Sequence, residues 1–170
     1  ADTVYFNTDG GTYVSYDGGT TVQNLSLEGL GVGQFYSTHT SSLDPRRISG
    51  GTQDQGYQVG TRAISTGEGP STAFDQIISG DYGHLTSGDG THEYVYSTYP
   101  GFILVQRGET SPTLRFVDFP AGSTQLWLPP VVADPTDRQR FFFLGRRLYR
   151  YELAGHWNWN PTQWSNVDFA

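Results

Sequence analysis

The sequence predicts an all-β fold built from four-stranded antiparallel β-propeller blades. A short apolar run followed by a Gly-rich turn recurs around Val4, Ile48, Val95 and Phe142. The interval is roughly 45 residues, the usual length of a propeller blade. The composition agrees, because 22 Gly and 9 Pro supply turns while 11 Tyr and 10 Phe suit strands. No segment shows sustained apolar residues at helical spacing, so little or no helix is expected.

About four blades are predicted in one partial domain, at residues 1–30, 31–80, 81–122 and 123–170. Each strand is predicted from a short run of β-branched or aromatic residues bounded by Gly, Pro, Asp or Ser. In chain order the predicted strands are Thr3–Phe6, Thr12–Tyr16, Thr21–Leu25, Gln34–Thr40, Arg47–Gly50, Gly56–Ile64, Thr72–Ile78, His84–Ser87, Glu93–Ser97, Phe102–Arg107, Thr113–Phe119, Gln125–Val132, Gln139–Leu144, Arg147–Glu152 and Thr162–Val167.

The first predicted blade lacks its inner strand, and the chain ends soon after Trp164. A propeller protects its sheet edges by closing into a ring, which needs at least four complete blades. We therefore expect these residues to be part of a larger propeller. The remaining blades would come from another segment or from a protein partner in another chain.

The net charge is −7, and the sequence contains no Cys. A surface this acidic repels phosphate backbones and anionic lipid headgroups, which argues against nucleic acid or a membrane surface as partner. Without Cys there is no disulfide framework and no thiolate site. No apolar run has the length needed to cross a bilayer, so membrane insertion is not expected.

The segment Ser15-Tyr16-Asp17-Gly18-Gly19-Thr20-Thr21-Val22 matches the Asp-box pattern S-x-D-x-G-x-T-W except at the last position. In this motif the Asp carboxylate accepts hydrogen bonds from turn amides, and Gly permits a positive φ. The Ser and Thr hydroxyls fasten the flanking strands. We therefore predict a structural role for Ser15, Asp17, Gly19 and Thr21, since the carboxylate is used by its own turn.

Four segments together resemble the BNR/Asp-box repeat family, and more narrowly its sialidase-like and sortilin-like propeller repeats. The resemblance covers nearly the whole chain, is strongest before Gly60, and implies a multi-bladed propeller that is usually exported, hence an extracytoplasmic protein. Many members are scaffolds, and some relatives hydrolyse glycans. The chain departs from the pattern at Val22, at Val105–Glu109 and at Tyr151–Trp157. The segments are Val4–Asn24, Gln34–Ser37, Gly50–Gly56 and Leu148–Arg150.

Alternate loops of an up-and-down blade project on opposite faces of the disc. The loops between second and third strands, together with those between blades, are expected to share the face opposite the Asp-box turn. Loops on a rigid scaffold are where binding groups concentrate. We therefore predict a non-enzymatic interaction module that binds a protein or a glycan through six residues: Asp9, Gln53, Asp54, Asp81, His84 and Tyr99.

The alternative function is a fragment of a secreted glycoside hydrolase. Such an enzyme needs two carboxyl groups flanking the sugar, and Asp9, Asp54 and Asp81 are the candidates, with Tyr99 or Trp127 available for stacking. Asp beside Gly is, however, the ordinary composition of a turn. No catalytic residue is therefore assigned.

No cofactor and no metal site are predicted, since the four His residues lack metal-ligand spacing and the alternating carboxylates of a calcium loop are absent. Calcium held by Asp81 or Asp89 with backbone carbonyls stays an alternative. The cluster Trp157-Asn158-Trp159-Asn160-Pro161 has two interpretations. Its aromatic rings either fill the space between blades, which we favour, or form an exposed patch for a sugar or a partner.

Overall fold

The computed structural model describes residues 2–8, 11–25, 33–63 and 71–169. None of these residues is helical, and they contain fourteen strands. The prediction of an all-β chain is therefore confirmed. The strands are β1 (Val4–Thr8), β2 (Gly11–Ser15), β3 (Gln23–Asn24), β4 (Phe35–Thr40), β5 (Arg47–Thr52), β6 (Tyr57–Ala63), β7 (Ser71–Ile78), β8 (Tyr94–Tyr99), β9 (Phe102–Arg107), β10 (Thr113–Asp118), β11 (Val131–Ala133), β12 (Arg140–Leu144), β13 (Leu148–Leu153) and β14 (Trp159–Gln163).

The described strands form four antiparallel sheets that follow one another along the chain. Sheet 1 has the order β1-β2-β3, sheet 2 β4-β5-β6-β7, sheet 3 β8-β9-β10 and sheet 4 β11-β12-β13-β14. Each strand pairs with its neighbour in sequence, so every sheet is a meander. The short turns between strands are what the frequent Gly residues of this sequence permit.

The predicted strand His84–Ser87 is wrong, because only Thr86 of this segment pairs, through a single bridge to Tyr96. The amide of Leu85 is bonded elsewhere: it donates to the Ser37 hydroxyl of sheet 2 at 2.7 Å. A regular ladder would next pair His84 with Thr98, but the Thr98 carbonyl accepts from the Gly83 amide at 2.8 Å, so the register is lost beyond this bridge. Sheet 3 is therefore three-stranded in the described part of the chain.

Two predicted strands of sheet 4 are shifted along the sequence. In place of the strand predicted at Gln125–Val132, the structure has the shorter strand β11. The reason is that Pro129 and Pro130 have no amide hydrogen to donate to a ladder. The prediction Thr162–Val167 starts too late, since β14 begins at Trp159 and contains Pro161. Proline is tolerated there because β14 is an edge strand.

Sheets 2 and 3 pack against each other through an aromatic cluster. Tyr57, Tyr82 and Leu104 are fully buried at its centre, and the Tyr57 hydroxyl donates to Gln106 Oε1 at 2.6 Å. The segment that connects the two sheets comes close to sheet 2 at Gly51, where an added Cβ would overlap the carbonyl oxygen of Tyr82. A glycine is therefore required at this contact.

Sheets 3 and 4 share the largest core cluster. Phe141 lies 4.5 Å from Tyr96 of sheet 3 and 4.7 Å from Tyr151 of its own sheet, measured between ring centroids. The backbones meet at Gly88, where a Cβ would overlap the carbonyl oxygen of Asp134. The buried members are Tyr94, Tyr96, Ile103, Val105, Val117, Val131, Ala133, Phe141, Phe143, Tyr151 and Trp159.

The outermost surfaces of this array expose apolar side chains. On β1, consecutive residues Val4, Tyr5 and Phe6 are all exposed, Tyr5 by 61%. Because successive strand residues point to opposite faces, β1 presents apolar groups on both sides. Within the residues that the structure describes, no helix is long and apolar enough to span a lipid bilayer.

Candidate functional site

The candidate site is the turn between β5 and β6 together with the segment that follows β7. Asp54 has a positive φ of 58°, which Asp tolerates better than most residues. The Asp54 amide donates to Asp81 Oδ1 at 3.2 Å, and the Gly80 amide donates to the Asp54 carbonyl at 3.4 Å. These contacts bring two of the predicted residues, Asp54 and Asp81, side by side.

A third residue of this site, Tyr36 on β4, was missed by the sequence analysis. Burial raises the pKa of the Tyr36 phenol, and the negative charges of Asp81 and Asp54 raise it further. The phenol therefore feels the charge of both carboxylates and stays protonated at neutral pH. The site consequently offers two carboxylates and one phenolic donor.

Tyr99 lies at the edge of the same site but is committed to packing. Its ring stacks on Phe102 at 4.6 Å and lies 5.3 Å from Tyr82. An added Cβ on Gly80 would overlap the Tyr99 ring, so the ring can occupy this position only because Gly80 has no side chain. Tyr99 is thus half-buried and packs beside Gly80, the residue before Asp81.

The other predicted binding residues are placed as follows. Gln53 is half-buried, and its amide donates to the Gln34 carbonyl at 2.9 Å. His84 is exposed on the segment that connects Asp81 with sheet 3. Asp9 lies outside the described residues.

The Asp-box residues form a hydrogen-bonded turn between β2 and β3. Asp17 Oδ1 accepts from the Thr21 amide at 2.8 Å, and Oδ2 accepts from the Thr21 hydroxyl at 2.7 Å. The Ser15 hydroxyl donates to Asp17 Oδ1 and accepts from the Gly19 amide. Hydrogen bonds from Thr21 and Ser15 lower the pKa of the Asp17 carboxyl. The carboxylate is thus occupied by its own turn.

Replacing Asp17 with alanine is expected to open this turn without changing ligand binding, because the variant removes acceptors for the Thr21 amide and hydroxyl. Hydrogen exchange of the Gly19 and Thr21 amides should accelerate. Asp17→Asn, which keeps one acceptor oxygen, should give a smaller change. Unchanged exchange together with lost ligand binding would contradict the structural role.

The contacts of Asp89 do not favour the alternative of a calcium site at this residue. Asp89 Oδ1 accepts from the Thr91 amide and hydroxyl at 3.0 and 2.7 Å, and the Asp89 carboxylate also pairs with Arg138. These contacts hold a tight turn. Among the described residues, no group of three or more His, Cys, Asp or Glu side chains is arranged to hold a metal ion.

A second polar cluster connects sheets 2 and 3 near β4. His92 Nε2 is 3.1 Å from the His39 carbonyl, His39 Nε2 is 3.3 Å from the Thr91 carbonyl, and the two rings are 5.1 Å apart. Both Nε2 atoms therefore carry hydrogen. Glu109 accepts from the His92 amide at 2.7 Å and from the Ser41 hydroxyl. Burial lowers the pKa of His92, and the positive charges of His39 and Arg47 lower it further, while the hydrogen bond to the His39 carbonyl and the charge of Glu109 oppose this shift.

Because His92 of this cluster is buried, we expect the free energy of unfolding of the protein to decrease in mild acid. The folded-state pKa of His92 is below its ordinary value of 6.5, so the unfolded chain takes up a proton that the folded chain does not. The stability is fully present above that value and falls as the pH decreases toward the folded-state pKa.

The measurement is urea unfolding of wild type and His92→Gln at about pH 7.5 and about pH 5.5. The variant should lose less stability on acidification than the wild type does. The control His156→Gln changes an exposed histidine and should keep the wild-type response. The same acid response in His92→Gln and wild type would refute the assignment.

No protein-family model matches the chain, and neither does any curated protein or any solved structure. The features that bear on function are therefore the geometry of the four sheets and the loops they carry.

Proposed function

We propose that the chain is part of a β-propeller of the BNR/Asp-box type and serves as a non-enzymatic interaction scaffold. The observation that carries the proposal is the packing of consecutive sheets in chain order. Tyr57 and Leu104 join sheet 2 to sheet 3, and Phe141 joins sheet 4 to Tyr96 of sheet 3. Meander sheets that pack face to face in sequence are the arrangement that a propeller requires.

The free face of sheet 4 supports the proposal that further blades complete the ring. Val132 is 58% exposed, and Phe142 and Trp164 pack together on this side at 6.2 Å. Phe142 lies between Phe141 and Phe143, which face sheet 3, so it points away from the core. The same face carries Arg150, whose guanidinium lies 4.0 Å over the Trp164 ring and pairs with Glu152. Such a mixed face, with its apolar groups exposed, is suited to another sheet. That sheet would belong to another segment or to a partner chain.

The binding surface in this proposal is the loop face formed by Asp54, Asp81, Tyr36 and Gln53, with His84 beside them. Loops held by a rigid scaffold are suited to recognition. Carboxylates that lie side by side attract basic or hydroxyl-rich groups. The partner is therefore a protein with basic side chains or a glycan, and it is met outside the cytoplasm if the Asp-box resemblance holds.

A glycoside hydrolase is the second candidate, favoured by the approach of Asp54 to Asp81 beside a phenol. The structural use of Asp81 argues against it, because its carboxylate already accepts the Asp54 amide. A general acid would instead need a carboxyl held protonated next to the sugar. Release of 4-methylumbelliferone from a panel of its glycosides, abolished by Asp81→Asn, would establish the hydrolase.

The experiment for the scaffold is binding of the wild-type chain to a printed glycan array and to a library of basic peptides. The double variant Asp54→Asn/Asp81→Asn removes two negative charges while keeping shape, and Asn tolerates the left-handed backbone at position 54. Ligands of the wild type should be lost by this variant and kept by Asp75→Asn, an exposed carboxylate on β7. Binding that survives in the double variant, or no binding to either panel, would overturn the assignment of the loop face.

A further inference from the structure

The loop face continues onto an aromatic strip formed by Tyr99, Phe102 and Phe116. The Tyr99 ring packs beside Gly80, the residue before Asp81, and stacks on Phe102 at 4.6 Å between ring centroids. Phe116 meets the same Phe102 ring edge-on at 4.8 Å. The three rings therefore form a contiguous row that begins beside the segment carrying Asp81 and ends on β10.

The strand register of sheet 3 places this row on the side of the sheet that faces sheet 2. Phe116 pairs with Leu104, and Asp118 pairs with Phe102. Leu104 belongs to the buried cluster between sheets 2 and 3, and residues two apart on a strand share a face. Phe102, Phe116 and Asp118 therefore all lie on this side, and the Asp118 side chain is the cross-strand neighbour of Phe102.

The accessible ring of the strip is that of Phe116. Tyr99 and Phe102 are half-buried and lie 5.3 and 6.5 Å from the fully buried Tyr82 ring. Phe116 is 56% exposed and belongs to β10, the edge strand of sheet 3. An aromatic ring that its neighbours already hold in place loses little conformational entropy when a partner binds to it. Phe116 is therefore suited to receive an apolar group of a partner.

Carboxylates lie next to both ends of the strip. Asp81, which accepts the Asp54 amide, lies at the end near sheet 2, and Asp118 is exposed at the end on β10. In the part of the chain that the structure describes, neither Asp81 nor Asp118 forms an ion pair with a basic side chain. Carboxylates only accept hydrogen bonds at neutral pH, whereas Lys and Arg side chains only donate them. The ends of the strip therefore match basic side chains better than sugar hydroxyls, which do both.

The arginines of β9 and β10 do not neutralise these carboxylates. The guanidinium groups of Arg107 and Arg115 lie over the Trp157 ring at 5.3 and 5.7 Å. Arg115 pairs with Val105, which is buried between sheets 3 and 4, so both arginines lie on the side of sheet 3 opposite Phe116. The negative charge along the strip is thus left for a partner to balance.

From this combination we infer that the aromatic strip and its carboxylates are the docking surface for a peptide segment in which an aromatic side chain lies between basic residues. The inference rests on the proposed function, because it names the partner of the same loop face. The aromatic side chain packs against Phe116, and the basic side chains pair with Asp81 and Asp118. The net charge of −7 favours the approach of such a segment.

The test is fluorescence anisotropy of two rhodamine-labelled peptides, Gly-Arg-Phe-Arg-Gly and Gly-Arg-Gly-Phe-Gly-Arg-Gly, titrated with the wild-type chain. At least one peptide should bind with a Kd below about 1 mM, and added salt should weaken the binding. Replacing the peptide's Phe with Ala, or both of its Arg residues with Glu, should weaken binding about tenfold or more.

Phe116→Ala should weaken binding of the Phe-containing peptide about tenfold. It should leave the weaker binding of the Ala-containing peptide unchanged, because that peptide has no ring to place on Phe116. Asp118→Asn should weaken binding of both peptides about twofold to fivefold, the usual effect of one exposed ion pair. Both side chains are exposed, so both variants are expected to fold.

The matched controls are Tyr16→Ala and Asp2→Asn, which remove an exposed ring and an exposed carboxylate at the Asp-box turn of sheet 1 and should leave peptide binding unchanged. Thermal melting verifies that each variant is folded. Failure of both peptides to bind would overturn the inference, as would a glycan on the printed array whose binding Phe116→Ala abolishes.

The inference and the proposed function fail in different ways. Full affinity in both Phe116→Ala and Asp118→Asn, with binding lost in Asp54→Asn/Asp81→Asn, would overturn the role of the aromatic strip and leave the loop face as the binding surface. Peptide binding that all of these variants keep would overturn both.

Discussion

Replacing Phe141 with alanine is expected to destabilise the fold by about 3–5 kcal/mol, the usual cost of truncating a buried phenylalanine. The Phe141 ring is fully buried between sheets 3 and 4. It lies nearly parallel to the Tyr151 ring, at an interplanar angle of 10°, and 4.5 Å from Tyr96. The variant would leave a cavity at the contact that holds the two sheets together.

The matched control is Phe142→Ala, one residue further along β12. Phe142 points to the free face of sheet 4 and is only half-buried, so its removal should cost clearly less. Urea unfolding of the two variants and of the wild type measures the difference. Equal losses of unfolding free energy in the two variants would contradict the assignment of Phe141 to the buried face of β12 and of Phe142 to its free face.

The second large effect is expected for Tyr57→Phe, at about 1–3 kcal/mol. The Tyr57 hydroxyl is the donor that reaches Gln106 Oε1 across the boundary between sheets 2 and 3. Both side chains are buried, so loss of the hydroxyl leaves an oxygen without this partner and without water. Burial raises the pKa of Tyr57, so the donor stays protonated at neutral pH.

A double-mutant cycle isolates this inter-sheet bond. Gln106→Leu alone should also destabilise the protein, because it leaves the hydroxyl buried without its acceptor. Tyr57→Phe/Gln106→Leu should cost less than the sum of the two single changes, since both polar groups are removed together. Strict additivity would show that the two side chains do not interact.

The repeat of apolar runs and Gly-rich turns predicted the all-β class and most strands, because both signals are local. Strands β5, β9 and β10 lie where short β-branched and aromatic runs end in turns. The errors have non-local causes. The segment around Leu85 does not become a strand because the Gly83 amide, rather than the His84 amide, donates to the Thr98 carbonyl, which breaks the register. The last strand was predicted at Thr162–Val167, three residues too late, because β14 begins at Trp159 and includes Pro161, which an edge strand tolerates.

The candidate site was predictable only in part. Asp54 and Asp81 were both expected on one face, since turns between alternate strands project together. Tyr36 was missed because it lies within a predicted strand, and nothing local indicates that it approaches both carboxylates. The sequence indicated an aromatic cluster at Trp157, but its packing against Arg107 of β9 and Arg115 of β10 could not be predicted, because these arginines are distant in sequence.

The central claim is that these sheets are consecutive blades around a common axis. A cryo-EM or crystallographic map of the native particle tests it most directly. The account predicts a further antiparallel sheet on the Val132 and Phe142 face of sheet 4, continuing the order of sheets 2, 3 and 4 around a ring. A map in which the four sheets close on themselves as a two-layer sandwich would contradict the claim.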